Sequence, residues 1–269
     1  MLSKGLGMDT IHSDEYQKRF KKKYGFVKRA RGSFLYTEKN IRLVDLAQDE
    51  GRAILGWRHG SSMLSFKNTL EKGLWSSYPN GAEHRLKKVL SNLFSLCGYS
   101  EYTSFYWYIG NLDRHSSLKN RQSLYPWSPL YPQTDNNAVT RIKDETLLFI
   151  PPLPWPSLYI LASKNSSLPS SDRLSTCLIE ALTRSLYDLI KEFPKRPPES
   201  WGKFDSVLNA YFIREGSLLK PKLKGKDYDA FALHCLESEI YIAERNPEKE
   251  EAPPSFVPWF ANLSAFKKL

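Results

Sequence analysis

The chain has 269 residues and a mass of 31.1 kDa, and its 41% hydrophobic and 13% aromatic side chains supply a packed core and exclude an intrinsically disordered polymer. No run of about 18 apolar residues is available to cross a bilayer, and residues 1–10 lack the apolar stretch of a secretory leader, so a cytoplasmic protein with no membrane partner is expected. The net charge of +10 is lopsided, with ten Lys/Arg against four Asp/Glu in the first 39 residues, so basicity is mainly an N-terminal property.

Residues 1–30 read as a basic arm. Tyr16, Phe20 and Tyr24 recur every four residues, which predicts a short amphipathic helix docking an aromatic stripe. Lys18, Arg19, Lys21, Lys22 and Lys23 stand among those rings and could neutralise phosphates with steep salt dependence. A solvated helix face accounts for the same cations, and a nucleic-acid partner is disfavoured because no recognition motif accompanies the charge. Residues 31–70 read as a meander: strands over Ser33–Thr37 and Ile41–Leu46, a turn through Gln48, Asp49, Glu50 and Gly51, and a returning strand over Arg52–Trp57. Arg58, His59, Ser61 and Ser62 come next in a polar loop, where flexible amides and two cationic side chains could grip a small anionic ligand; an ordinary exposed loop is the competing reading.

Residues 71–171 mix element types. Leu86, Val89, Leu90, Leu93 and Phe94 share one face of a helix predicted over Glu83–Leu96. Tyr102–Ile109 is an aromatic run of strand length, expected to pack a sheet, although aromatics of this density also stack bases. Residues 111–137 carry Pro126, Pro129 and Pro132 and read as a long irregular connection. Glu145–Ile150 and Leu158–Ala162 suit buried strands, held apart by the stiff Pro151–Pro156 spacer. Residues 172–269 are mainly helical, with a long helix capped by Asp172 and ended near Phe193, a second over Trp201–Phe212 and a third over Asp227–Leu236; Ile240–Ala243 reads as an edge strand.

This order predicts an α/β chain. Cys97, Cys177 and Cys235 are too scattered for a disulfide framework and read as reduced core thiols. The five histidines show no metal-binding spacing, and no phosphate-loop, dinucleotide or nucleophile-elbow motif occurs, so no metal site is expected.

The stretch from Ala30 to Tyr36, with Ile41–Asp45, Gly51 and Arg52, resembles the opening of class III aminotransferases, which are fold-type-I pyridoxal-phosphate enzymes; Lys72–Leu96 and the helices from Asp172 onward are similar to the helix that leads into the large domain of that family and to the helices that close it. The resemblance implies a reduced fold-type-I architecture, with a small mixed sheet, flanking helices and a C-terminal helical small-domain portion, and it implies a homodimer. Family members are longer, and the shortfall lies where they carry the glycine-rich phosphate cup, the pyridine-facing carboxylate and the Schiff-base lysine. No convincing phosphate cup is read here, and Asp144–Glu145 precedes its apolar run instead of ending it. Lys164, just after an apolar run, is the one candidate for a lysine that could reach a cofactor aldehyde; a solvated loop side chain is the alternative. The expectation is a truncated, degenerate relative that binds or assembles without transamination and needs no cofactor. A minimal pyridoxal-phosphate enzyme using Lys164 and a nucleic-acid-associated protein using the basic arm are the two alternatives.

Overall fold

The computed structural model describes residues 10–58, 60–75, 80–110, 112, 124–131, 146–165, 168–259 and 263–269. In chain order the elements are α1 (Thr10–Tyr24), β1 (Val27–Arg31), β2 (Phe34–Thr37), β3 (Arg42–Asp45), α2 (Ser62–Glu71), α3 (Ala82–Leu96), β4 (Ser104–Ile109), β5 (Leu124–Trp127), β6 (Thr146–Phe149) and β7 (Leu158–Ser163). Next come α4 (Thr176–Glu192), the single turns α5 (Pro198–Trp201) and α6 (Asp205–Leu208), β8 (Phe212–Glu215), β9 (Leu218–Pro221), α7 (Gly225–Glu237), β10 (Ile240–Tyr241), β11 (Ser255–Phe256) and α8 (Leu263–Phe266). Two compact units result: one joins Met1–Arg58 to Pro198–Leu269, and the other is His59–Pro197.

The unit built from the two chain ends centres on a sheet of order β1-β2-β3-β10. The first three strands form the antiparallel meander, and β10 runs parallel to β3 with Ile240 opposite Val44. Helix α1 docks through the aromatic stripe: Tyr16, Phe20 and Tyr24 are all buried, the Tyr16 hydroxyl donates to the Ile242 carbonyl at 3.1 Å, and the Tyr24 hydroxyl donates to that of Leu236. A tyrosine suits these positions because the ring buries apolar area while its hydroxyl satisfies a carbonyl that would otherwise be stranded. A second sheet, β11-β9-β8, is antiparallel throughout.

The segment Arg52–Trp57, expected as a strand, is a series of turns closed by a single antiparallel bridge between Gly32 and Trp57. The cause lies just before it. Gln48, Asp49 and Glu50 take φ of 46°, 50° and 58°, and Gly51 takes 87°, so four successive residues wind left-handed and the chain cannot leave in strand direction. Such a run persists only where its surroundings over-determine it. Here Asp45 Oδ1 accepts the Gln48 amide at 2.9 Å, the Gln48 side chain donates to the carbonyls of Phe256 and Val257 at 3.3 Å each, and buried Arg52 donates to the Asp49 carbonyl at 3.1 Å. Arg52 also pairs with Glu50 at 2.6 Å, and Asp45 Oδ2 accepts the Trp57 indole N–H at 2.7 Å. Burial pushes the Asp45 carboxyl up to about 6, against the opposing pull of the Gln48 amide and the Trp57 indole.

The helix expected over Trp201–Phe212 is broken into α5, a 3-10 turn at Gly202–Phe204 and α6, and Phe212 opens β8. Buried Trp201, Phe204, Leu208 and Phe212 keep a helix-like spacing, but Gly202 interrupts the backbone that would have used it.

In the His59–Pro197 unit the sheet order is β4-β7-β6-β5, with β5 and β6 parallel and the other pairs antiparallel. The aromatic run packs this sheet, burying Phe105, Trp107 and Tyr108, and the proline-rich spacer separates β6 from β7 as expected. Phe94 of α3, fully buried, meets Trp127 at 4.2 Å and Phe105 at 5.2 Å between ring centroids. Helix α4 is capped by Ser175, whose hydroxyl accepts the Leu178 amide at 3.4 Å, and not by Asp172. Asp172 is held by β4: its carboxylate accepts the Ile109 amide at 2.8 Å, and its carbonyl accepts the Trp107 indole at 3.0 Å. Cys177 and Cys235 are buried free thiols, and Cys97 is a partly buried one whose ionisation burial pushes up to about 11. Asp144 and Glu145 lie outside the described residues.

Candidate functional site

Helices α2, α3 and α4 of the His59–Pro197 unit enclose a polar cleft of about 420 Å³. Its floor comes from Thr176, Glu180 and Arg184 of α4, which recur every four residues and so stand in one row along the helix that Asp188 continues beyond the cleft. Asn80, just before α3, is fixed at both ends of its amide, accepting the Ala82 amide at 2.9 Å and donating to Thr176 Oγ1 at 3.0 Å. Arg85, one turn into α3, pairs with Glu180 of α4. Arg184 pairs with Asp188 at 3.4 Å.

Asp188 also accepts the Ser61 amide at 3.2 Å, which ties the start of α2 to α4. Gly60 makes this approach possible: its φ is 67°, and a Cβ there would stand 2.0 Å from Asp188 Oδ2. Lys72, at the C-terminal end of α2, lines the cleft, and its ammonium makes no hydrogen bond or ion pair among the described residues. The lining thus offers two guanidinium groups oriented by carboxylates, one uncommitted ammonium, and the hydroxyls and amides of Ser61, Ser65, Asn68 and Thr176. Such a set can receive an anion with several acceptor oxygens.

The residues singled out in the sequence are placed unevenly. Ser61 stands at the N-cap position of α2 without a side-chain capping hydrogen bond and lines the cleft, whereas Ser62 is the buried first residue of the helix. Arg58 is exposed, takes φ of 59° and closes the Met1–Arg58 segment of the other unit; His59 lies outside the described residues. Lys164 comes directly after β7, 3.5 Å from Glu101 and over the Tyr102 ring at 5.1 Å, and it is not part of the cleft. Among the arm cations, Arg19 pairs with Glu15 at 2.9 Å, Lys23 with Glu237 at 2.7 Å, and Lys21 lies 5.9 Å from the centre of the Phe26 ring. Lys18 and Lys22 lie on the same helix, exposed. Lys72, Asn80, Arg85, Glu180 and Arg184 were not among the sequence candidates. The four-residue polar row of α4 was readable in the sequence, but the convergence of Lys72 and Asn80 on it is tertiary.

The fold is that of the aminotransferases: a mixed α/β chain with small mixed sheets and flanking helices. Among solved structures, ornithine aminotransferase from Toxoplasma gondii, crystallised in the presence of oxidised glutathione and showing partial occupancy of pyridoxal phosphate at its active site, superposes with a TM-score of 0.62 at 9% identity, over 97% of this chain and 93% of that one. Ornithine δ-aminotransferase from Plasmodium falciparum gives 0.58 at 11% identity over 95% of each chain, and acetylornithine aminotransferase from Elizabethkingia anophelis 0.58 at 9% over 94% and 97%. In sequence, an uncharacterised protein of Treponema pallidum (strain Nichols) is 28% identical over 193 residues, covering 66% of this chain. The match spans 57% of that relative's length. No protein-family profile matches the chain. No helix among the described residues is long and apolar enough to cross a membrane.

Proposed function

We propose that this chain is a non-catalytic aminotransferase-like protein with a binding role, which holds a small phosphate- or carboxylate-bearing molecule among α2, α3 and α4. The observation that carries the reading is the convergence of Lys72, Arg85 and Arg184 on one cleft that Lys164 does not line. Pyridoxal phosphate fits this arrangement poorly. The cleft lining has no aromatic side chain on which a pyridine ring could stack, Glu180 is already taken by Arg85, and Lys164 is engaged by Glu101 and Tyr102. No cofactor-dependent step is therefore assigned. The resemblance extends the same reading to a homodimer, and exposed Met63, Leu64 and Trp75, in and just after α2, supply apolar surface for one. The ion pairs of Arg19 and Lys23 and the burial of Tyr16, Phe20 and Tyr24 support α1 as a docked helix over a nucleic-acid arm.

The test is thermal unfolding with inorganic phosphate against chloride at matched ionic strength. Phosphate is expected to raise the melting temperature of the wild-type chain, and Lys72→Gln, at an exposed helix end, to weaken the apparent phosphate affinity by about tenfold while leaving the unliganded melt in place. Equal shifts with phosphate and chloride, or an unchanged phosphate response in the variant, would remove the cleft from the account.

A further inference from the structure

The meander in the unit formed by the two chain ends has two different faces. Leu35, Leu43 and Asp45 lie on one of them, together with Tyr241, which pairs with Asp45 and meets the rings of Tyr16 and Phe20 from α1. The alternate positions make up the other face. There Arg29 of β1, Tyr36 of β2 and Arg42 of β3 stand in register across three strands, and Arg31 and Phe34 are paired in the next row. All three arginines are exposed. The Arg29 guanidinium lies over the Tyr36 ring at 4.3 Å and that of Arg42 over the Phe34 ring at 4.5 Å. Among the described residues, no acidic side chain pairs with Arg29, Arg31 or Arg42.

Two ordinary roles for surface charge leave this arrangement unexplained. Charge on an edge strand discourages pairing with other chains, which accounts for Arg29 and Arg31 on β1. It does not account for Arg42, because β3 is an interior strand between β2 and β10. A face selected for solubility alone carries both signs, and these two rows carry only the positive one. A guanidinium held over a ring is partly immobilised before any partner arrives, and its N–H donors remain available to phosphate oxygens. Arginine planes and aromatic rings are also the surfaces on which unpaired bases stack. An acidic peptide would use only the charge, whereas a single-stranded nucleic acid uses both the charge and the rings. The cations of α1 are not part of this surface, since that helix packs through Tyr16 and Phe20 on the opposite face.

We propose that the outer face of the β1-β2-β3 meander binds single-stranded nucleic acid, with Arg29, Arg31 and Arg42 taking phosphates and the two arginine–aromatic pairs supporting about two or three unpaired bases. The surface shares no residue with the anion cleft of the His59–Pro197 unit and stands or falls independently of it.

The experiment is fluorescence anisotropy of the full chain with labelled oligouridylate and oligodeoxythymidylate of about twelve nucleotides, at physiological ionic strength and below. Binding of either supports the proposal, and the tighter of the two identifies the sugar. The logarithm of the binding constant is expected to fall against the logarithm of salt concentration with a slope of about −2, the value for three phosphate contacts on a single strand. Polyglutamate of equal charge and a duplex of equal length are expected to bind at least about tenfold more weakly, because neither presents an open base. Arg29→Gln and Arg42→Gln are exposed changes that leave the thermal melt in place, and each is expected to weaken binding by about fivefold or more. Arg42→Lys keeps the charge without the planar group and is expected to stay weak. Lys18→Gln and Lys22→Gln, on α1, are expected to bind as the wild type does. Absence of binding to both oligonucleotides, polyglutamate or duplex binding as tightly, or glutamine variants of Arg29 and Arg42 that bind undiminished would each overturn the proposal. So would full activity of Arg42→Lys, or an equal loss in the α1 lysine variants.

Discussion

Replacing Phe94 by alanine is expected to cost about 4 kcal/mol. Phe94 is fully buried on the inner face of α3, with ring-centroid distances of 4.2 Å to Trp127, 5.2 Å to Phe105 and 6.3 Å to Phe149. The ring touches three strands of one sheet, β4, β5 and β6, so its loss leaves a cavity bounded by elements already fixed by strand pairing. Such walls cannot collapse into the space, and the cavity cost adds to the lost transfer free energy. Urea denaturation followed by tryptophan fluorescence reads the effect as a drop in midpoint at constant slope. Phe94→Leu should recover a substantial part. A loss under about 1 kcal/mol for the alanine variant would show that α3 does not key this sheet.

The second large effect is expected at Gly51. Its φ is 87°, and a Cβ built there lies 2.7 Å from Cε1 and 2.9 Å from Cζ of the buried Phe256 ring. Alanine would meet both a backbone conformation it disfavours and a rigid obstacle, for a combined cost of about 3 kcal/mol. The ring has little room to yield, because Phe256 pairs with Leu218 across β11 and β9 and its amide donates to the Leu46 carbonyl at 2.7 Å. The same denaturation experiment checks this. A decrease in midpoint worth less than about 1 kcal/mol would mean that the left-handed turn relaxes freely and is not held by its surroundings.

The elements that were legible in the sequence are those whose burial obeys a single period. The apolar face of α3, the β4 run, the aromatic stripe of α1 and the interior of α4 are all set by spacing, and the structure buries the residues that the spacing nominates. Where the reading failed, backbone conformation had overridden pattern. Nothing in Gln48, Asp49 and Glu50 as residue types announces three consecutive left-handed residues; contacts distant in sequence, to Phe256 and Val257, hold Gln48 there. The Trp201–Phe212 spacing was helical in period, yet its residues are divided between short helical turns and a strand. Helix α2 escaped notice because Met63, Leu64 and Leu70 are exposed, so its apolar residues mark no buried face. The loop from Arg58 to Ser62 was picked out as a place where a ligand could be gripped, and Ser61 does line the cleft. The cations that dominate that cleft stand on three helices, and no local window of sequence contains them together.

The central claim is that an aminotransferase-like fold here serves binding without covalent cofactor chemistry at Lys164. Incubation of the full chain with pyridoxal phosphate, borohydride reduction and peptide mass spectrometry addresses it directly, because reduction fixes any lysine-bound cofactor in place. The account predicts only scattered, substoichiometric labelling of exposed lysines, unchanged in Lys164→Ala. Stoichiometric labelling of Lys164, accompanied by a visible absorbance band that the Lys164→Ala variant lacks, would contradict it.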